Sequence, residues 1–170
     1  MADRIVMVNG LPGSGKTTLA TKLGAALGVP VISKDAVKEA LFAAVPTARP
    51  GGLGAIAMET AWGLVADAPG CVVLESWWFR PRDLEFTVAG WRRCGAPAVV
   101  EVWCDVPAAL ARSRVEARVR DQALYEDARH LANSWEDWAA RAQPLALGEV
   151  VRVNTAAEVD LAALTRSVRG

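Results

Sequence analysis

A three-layer α/β fold, with a five-stranded parallel sheet between two helical layers, is what this 170-residue chain predicts. Two observations carry that expectation. Five short runs rich in β-branched residues recur along the chain, separated by longer stretches whose apolar residues repeat at helical spacing. Strands that alternate with helices in this way pair in parallel, because parallel strands need crossover connections and the helices supply them. With 52% hydrophobic residues, the length suits one well-buried domain spanning 1–170 and is short for two.

The first run, Arg4-Ile5-Val6-Met7-Val8, leads into Gly10-Leu11-Pro12-Gly13-Ser14-Gly15-Lys16-Thr17, which fits G-x-x-x-x-G-K-[ST] at every fixed position. Thr17 to Leu27 then carries Leu19, Leu23 and Leu27 at helical spacing, and Gly28 and Pro30 end that helix. Val31-Ile32-Ser33 is the second strand. A helix from about Asp35 to Val45 follows, with Val37, Ala40, Leu41, Ala44 and Val45 on one face. From Pro46 to Gly52 periodicity lapses, which predicts a loop. The third helix has a core stripe of Leu53, Ile56, Ala57, Thr60, Ala61, Leu64, Val65 and Ala68. Met58 and Trp62, in line with Ala55 and Ala66, add a second apolar strip that another element or a ligand must cover.

Cys71-Val72-Val73-Leu74-Glu75 is the third strand, and Leu84, Val88 and Trp91 mark the inner face of a helix reaching about Arg93. Ala98 to Cys104 is the fourth strand, after which Pro107 opens a long arginine-rich helix. Leu131, Trp135, Trp138 and Ala142 form an apolar stripe that reads as core, and His130 has no partner in view. Val150 to Val153 is the fifth strand. Thr155-Ala156-Ala157-Glu158 reads as a capping box opening the last helix, with Leu161, Leu164, Thr165 and Val168 inward.

The glycine loop is the Walker A, or P-loop, pattern, set between a strand and a helix as the motif requires. Gly10, Gly13 and Gly15 let the backbone wrap an anion, and Ser14 and Thr18 belong to the same cradle at the helix N-terminus. A polyphosphate such as that of ATP fits there. Lys16 reaches the β- and γ-phosphates, and the Thr17 hydroxyl joins the shell of a Mg2+ ion.

In open α/β sheets ligands sit beyond the carboxyl ends of the strands. Lys34 and Asp35, Glu75 to Arg80, Asp105 and Asn154 therefore join the P-loop as candidates. Asp35 accepts the proton of an attacking hydroxyl, orients that hydroxyl, or simply caps its helix. Glu75 closes a hydrophobic strand where a metal-holding carboxylate is expected, or holds the acceptor hydroxyl. Arg112 and Arg120 flank Glu116 at four-residue spacing, as ion pairs on a solvated helix do. Arg114 and Arg118 face each other without a carboxylate at that spacing, so a phosphate anion is their natural partner and both are candidate catalytic cations. Trp62, Trp77, Trp78 and Phe79 can wall a pocket for a planar or amphipathic acceptor, with Arg80 beside it. Trp77 and Trp78, being adjacent, are expected to diverge, one inward and one toward the site.

Taken together, the segments Val8 to Thr18, Ile32 to Lys38 and Asp105-Val106-Pro107 with Arg114 to Arg118 resemble the P-loop kinases of nucleoside-monophosphate-kinase type. Within them the likeness is to the group of polynucleotide kinase, chloramphenicol phosphotransferase, gluconate and shikimate kinases and zeta toxins. The resemblance covers most of the chain. It implies a sheet order of 2-3-1-4-5, a lid over about 107–130, and Asp35 as the residue that serves the acceptor hydroxyl. It further implies Arg114 against adenine, Arg118 on phosphate, and Asn154 with Thr155 bordering the adenine. Glu75-Ser76-Trp77-Trp78 departs from the acceptor motifs of these families and leaves the acceptor open.

The expectation is an ATP- and Mg2+-dependent kinase acting on a hydroxyl of a small molecule such as a nucleoside, an antibiotic or another metabolite. The alternatives are a nucleotide or polynucleotide 5'-hydroxyl kinase and, from another class, a regulatory ATPase module. Nineteen basic and nineteen acidic residues balance, so nothing calls for a nucleic-acid partner. Apolar stretches fall short of a membrane span, no leader pattern opens the chain, and three cysteines lack metal spacing. A cytoplasmic monomer or homodimer, with reduced thiols, is the expectation.

Overall fold

The computed structural model describes residues 1–46, 50–121 and 124–169. Five parallel strands, β1 (Ala2–Asn9), β2 (Val31–Ser33), β3 (Gly70–Glu75), β4 (Ala98–Asp105) and β5 (Glu149–Asn154), form one sheet in the order β2-β3-β1-β4-β5. The order implied by the resemblance is the order found. Between the strands run α1 (Lys16–Leu27), α2 (Lys34–Ala44), α3 (Pro50–Asp67), α4 (Arg80–Arg93), α5 (Ala108–Glu116), α6 (Asp127–Asn133), α7 (Trp135–Arg141) and α8 (Leu161–Arg169).

Strand alternation divides the core in two. Ile5, Met7, Val72 and Leu74 face α3 and α4, where Ala61, Val65, Trp62 and Trp78 complete one cluster. Val6, Val8, Val73 and Val102 face the other way, onto Leu19 and Leu23 of α1 and Leu164 and Val168 of α8. β1 and β3 are buried along nearly their whole length, as a doubly covered parallel sheet requires. Among the described residues no helix is long and apolar enough to cross a membrane.

Several local expectations change. Ser33, and not Asp35, caps α2: its hydroxyl accepts from the Ala36 N–H at 3.5 Å, and Asp35 stands in the first turn, its carboxylate paired with Lys34 and Arg120. The proposed apolar face of α2 is largely uncovered, with Val45 exposed and Lys38 the buried residue. α3 begins at Pro50, so Gly51 and Gly52 are helical; proline at the first helical position is preset for that conformation. Thr47 to Arg49 of the expected loop lie outside the described residues.

On α3, Leu53, Ala57, Ala61 and Val65 are buried as expected, but Ile56 and Leu64 are exposed and Trp62 is inside. Trp62 of the second apolar strip packs against protein, where a Cβ on Gly90 of α4 would lie 2.3 Å from its Nε1, while Ala55 is exposed and Ala55, Met58 and Trp62 all border a cavity. The arginine-rich helix is short. α5 stops at Glu116, so Arg118 and Arg120 lie beyond it and the four-residue spacing of Arg114 and Arg118 does not place them on one face. Finally, α8 starts at Leu161, and the Asp160 carboxylate accepts from Ala163 N–H at 2.9 Å in place of the expected capping box.

Candidate active site

The loop from Gly10 to Lys16 runs from the end of β1 into α1. Gly13 and Gly15 both have φ of +83°, and a Cβ on Gly13 would lie 2.1 Å from the Ala111 carbonyl oxygen of α5. The loop therefore needs glycine both for its backbone angles and for close approach to its neighbour. Gly15 stands at the N-cap of α1 and offers no side chain, which leaves the helix N-terminus open to an anion. Ser14 is fully buried, and among the described residues its hydroxyl has no hydrogen-bond partner. A buried orphan hydroxyl inside a glycine cradle fits a bound phosphate. Thr18 is exposed one residue beyond Thr17.

Thr17 and Glu75 form the second part of the site. The Thr17 hydroxyl donates to Glu75 Oε1 at 3.2 Å, and Ser33 Oγ donates to Oε2 at 2.7 Å, which aims a nearly buried carboxylate at the start of α1. Hard oxygen donors in a small number fit Mg2+, which keeps waters and phosphate oxygens as its other ligands. Among the described residues there is no cluster of three or more His, Cys, Asp or Glu side chains of the kind that holds a metal by protein alone. Burial pushes the Lys16 ammonium below its ordinary pKa, while Glu75 and Asp35 pull it up and Arg118 adds to the lowering.

Asp35 lies across the same cavity. Burial works to raise its pKa, but Lys34 at 3.5 Å, Lys16, and Arg120 at 3.3 Å outweigh it and hold the carboxyl below the usual aspartate value. Arg120 also reaches Asp127 at 3.2 Å and stacks over the Tyr125 ring, 4.2 Å from its centroid. It therefore ties α2 to α6, and is not the surface partner of Glu116 that the spacing suggests. Arg112 does pair with Glu116, at 2.9 Å.

The two candidate arginines separate. Arg114 turns toward the P-loop, its guanidinium 3.4 Å from the Gly13 carbonyl and 3.5 Å from that of Thr155. Arg118 lines the cavity with Lys16, its pKa lowered first by burial and then by Arg120, against the pull of Asp127, Asp35 and Glu75. Asn154 stands near Arg114 through its neighbour Thr155, but its own Oδ1 accepts from Ala156 N–H at 2.9 Å and shapes that turn.

The cavity measures about 580 Å³ and extends from Pro12, Lys16 and Thr17 to an aromatic chamber. Trp62, Trp77 and Trp78 all line it, and Trp78 is 2% exposed. The adjacent tryptophans diverge, Trp78 into the cluster with Trp62 and Trp77 into the cluster with Phe79 and Trp138, but not as one inward and one toward the site, because both also border the cavity. Arg80 does not line it. It opens α4 outside the lining residues, whereas Arg82, two residues on, borders the chamber and is held by Asp83.

Other parts of the wall were not foreseen. Trp135 and Trp138 of the core stripe read from the sequence also line the chamber, as does His130, which had no partner in view there, because α6 and α7 roof it. Tyr125 lines it from the chain before α6, its hydroxyl donating to Glu39 at 2.7 Å and its pKa raised chiefly by burial. Asn9 supports both halves: its Oδ1 accepts from Gly10 N–H at 2.8 Å and Trp78 N–H at 3.1 Å, and its Nδ2 donates to buried Glu101 at 2.9 Å. Glu101 in turn accepts from Leu145 N–H at 3.0 Å and Ala146 N–H at 2.8 Å. A lone carboxylate inside a hydrophobic strand, Glu101 of β4, is the sequence signal that could have pointed to this junction.

The family model described as AAA domain matches residues 5–145. The chain belongs to that AAA domain family. No curated protein matches it in sequence. Among solved structures, a protein described as a kinase from Chloroflexus aurantiacus J-10-fl superposes with a TM-score of 0.80 at 23% identity, covering 98% of this chain and 96% of that one. Shikimate kinase from Bacteroides thetaiotaomicron gives a TM-score of 0.61 at 19% identity, over 98% and 96% of the two chains. A gluconokinase from Sinorhizobium meliloti 1021 gives 0.62 at 17%, over 98% and 89%. At these identities the likeness is one of fold: this AAA domain member shares the parallel P-loop α/β fold of those structures.

Proposed function

We propose that the protein transfers the γ-phosphate of ATP to a hydroxyl group of a small molecule, with Mg2+. The observation that carries this reading is that Lys16 and Thr17 of the P-loop and Asp35 at the start of α2 border one cavity, which continues into a chamber large enough for an acceptor. A P-loop built only to hold a nucleotide has no need of such a chamber.

In the reaction an oxygen–phosphorus bond forms to the acceptor, the bond from the γ-phosphorus to the bridging oxygen breaks, ADP leaves, and the hydroxyl proton is released. Bound Mg2+ supplies charge neutralisation at the phosphates. Thr17, with Glu75 behind it, is the residue set to hold that ion. Lys16 and Arg118 place positive charge on the phosphate side of the cavity, and Arg114 braces the P-loop against the turn after β5. Asp35 is ionised at neutral pH, because its neighbours hold its pKa down. A carboxylate of lowered pKa is a weak base, so its part is to accept a hydrogen bond from the acceptor hydroxyl and orient it, the proton departing as the bond forms.

Incubation with γ-labelled ATP, Mg2+ and pooled hydroxyl metabolites tests the reading. Label on an organic product supports it, and label found only as inorganic phosphate overturns it.

A further inference from the structure

The charge of the acceptor can be read from the chamber, on the footing that the kinase reading above holds. We infer that the acceptor is a hydroxy acid: besides the hydroxyl that faces Asp35 it carries one carboxylate, which Lys38 receives one helical turn further along α2. The burial of Lys38, the pairing of the charges around it and its position relative to Asp35 together argue for it.

Lys38 is only 8% exposed, yet it lines the cavity, and among the described residues its ammonium makes no ion pair with a carboxylate. It donates to the Leu124 carbonyl at 2.8 Å and lies 4.8 Å from the Tyr125 ring centroid. Leu124 and Tyr125 line the same cavity, so the ammonium is held at its wall. Both partners are neutral and an ammonium has three donors, so a donor and the whole charge remain to be met. Burial, then Lys34 and Arg120, push its pKa below the ordinary lysine value against the pull of Asp35 and Glu126. An anion beside Lys38 relieves that cost.

The carboxylates of the chamber are already taken. Asp35 pairs with Lys34 and Arg120, Asp127 with Arg120, and Asp83 with Arg82 at 2.6 Å. Glu126 pairs with Arg129 at 2.7 Å and Glu59 with Arg93. The lining cations without a carboxylate are Lys16, Arg118 and Lys38. Lys16 belongs to the P-loop, and Arg118 is close enough to add to the lowering of its pKa, so the ATP phosphates are the anion for both. Lys38 is left for the acceptor. A single unmatched ammonium fits a single carboxylate, an acceptor amine would be repelled by it, and a phosphate monoester, of charge about −1.5 to −2, would exceed it.

Position then sets the spacing within the acceptor. Lys38 follows Asp35 by one turn of α2, so the two stand on one face with about 5–6 Å between their Cβ atoms. Asp35 lies near enough to Lys16 to feel its charge, and Lys38 lies beside Tyr125, which lines the chamber with Trp62 and Trp138. A hydroxyl at Asp35 therefore leaves the carboxylate about one helical turn away, with the rest of the acceptor against the aromatic wall, where a ring makes good contacts.

The test measures binding by titration calorimetry with a non-hydrolysable ATP analogue and Mg2+ already bound, so that the phosphate side is filled. The probes are 3-(hydroxymethyl)benzoate and 6-(hydroxymethyl)-2-naphthoate, each beside its primary amide, which keeps the shape and removes the charge. The inference expects at least one carboxylate to bind about tenfold or more tighter than its amide. Lys38→Met, which keeps the apolar stem, should erase that preference while its unchanged affinity for the ATP analogue shows that it is folded, and Lys38→Arg should keep the preference. The comparison in the parent protein stands whether or not Lys38→Met folds. Amides that bind as well as the carboxylates, absence of measurable binding by either carboxylate, or a preference that survives in Lys38→Met overturns the inference. A preference lost instead in Arg118→Ala puts the anion on the phosphate side and also overturns it. With γ-labelled ATP in place of the analogue, label on the amides alone overturns the inference and leaves the kinase reading standing. Carboxylate preference, together with label found only as inorganic phosphate in the pooled-metabolite assay, supports the anion site and overturns the kinase reading.

Discussion

Replacing Asp35 by asparagine keeps the shape of the side chain and removes the charge on which its proposed part in catalysis depends. Lys34 lies 3.5 Å away and Arg120 3.3 Å away, with Lys16 across the cavity, and together they hold the carboxyl below its ordinary pKa. So placed, Asp35 contributes a charge-assisted hydrogen bond to the acceptor hydroxyl, worth about 1.5–3 kcal/mol. A loss of about 2.7 kcal/mol is a factor of about 10² in kcat. The side chain is 45% exposed, so the pairs it makes add little to folding, and the melting temperature of Asp35→Asn should stay within a few degrees of the parent. The assay is initial-rate transfer from γ-labelled ATP, with nucleotide affinity measured separately. The expected result is a fall of about 10²-fold in kcat with ATP binding nearly intact. The pH dependence follows from the sign of the shift. A carboxyl lowered in the folded protein is fully ionised above the unfolded value of about 4, and its contribution disappears as pH falls through the lower folded value. The acid limb of the rate profile should therefore lie below about pH 4, provided the protein stays folded there, and should be absent in Asp35→Asn. Turnover within about twofold of the parent, or an acid limb near neutrality assigned to Asp35 by its loss in the variant, would refute the reasoning.

Four further outcomes follow from the same geometry. Arg118→Ala should lower kcat by about tenfold or more without loss of thermal stability, whereas Arg114→Ala, which removes the brace on the P-loop, should raise the KM for ATP; steady-state kinetics on both separates the two roles. Gly13→Ala puts a Cβ 2.1 Å from the Ala111 carbonyl at a positive φ, so ATP binding should be lost and unfolding should occur at lower denaturant. Gly90→Ala drives a methyl against the Trp62 ring, 2.3 Å away, and should weaken acceptor binding well before it weakens ATP binding, as titration calorimetry with each ligand would report. Asn9→Ala leaves the buried Glu101 carboxylate without one of its donors and frees both Gly10 and Trp78, so it should cost about 1–3 kcal/mol in urea unfolding and raise both KM values.

The donor half of the site was legible because its chemistry is local. Eight consecutive residues from Gly10 to Thr17 make the cradle, and their conformation depends on glycine angles and on the helix that follows directly. Glu75 and Asp35 were legible through a weaker rule, that residues just past parallel strands gather at one edge, and they border the same region as Lys16. Several errors fell where periodicity alone was the guide. Arg114 and Arg118 look like helical neighbours until α5 stops at Glu116, and Trp135 and Trp138 look like pure core until α7 is seen to roof a cavity. A residue can fill a core with one face and wall a chamber with the other, and spacing does not distinguish the two.

By itself, then, the sequence determined the fold class, the run of strands and helices, and the phosphate cradle, because each rests on interactions among residues close in the chain. The strand order was available through the resemblance and is the one observed. Only the tertiary structure decided which charges pair around the chamber and which side chains wall it. Those depend on residues far apart in the chain: Arg120 meets Asp35 across 85 positions and Asn9 meets Glu101 across 92. Packing between elements sets such distances, and no local pattern encodes them. That is why the P-loop could be read directly and the acceptor chamber could not.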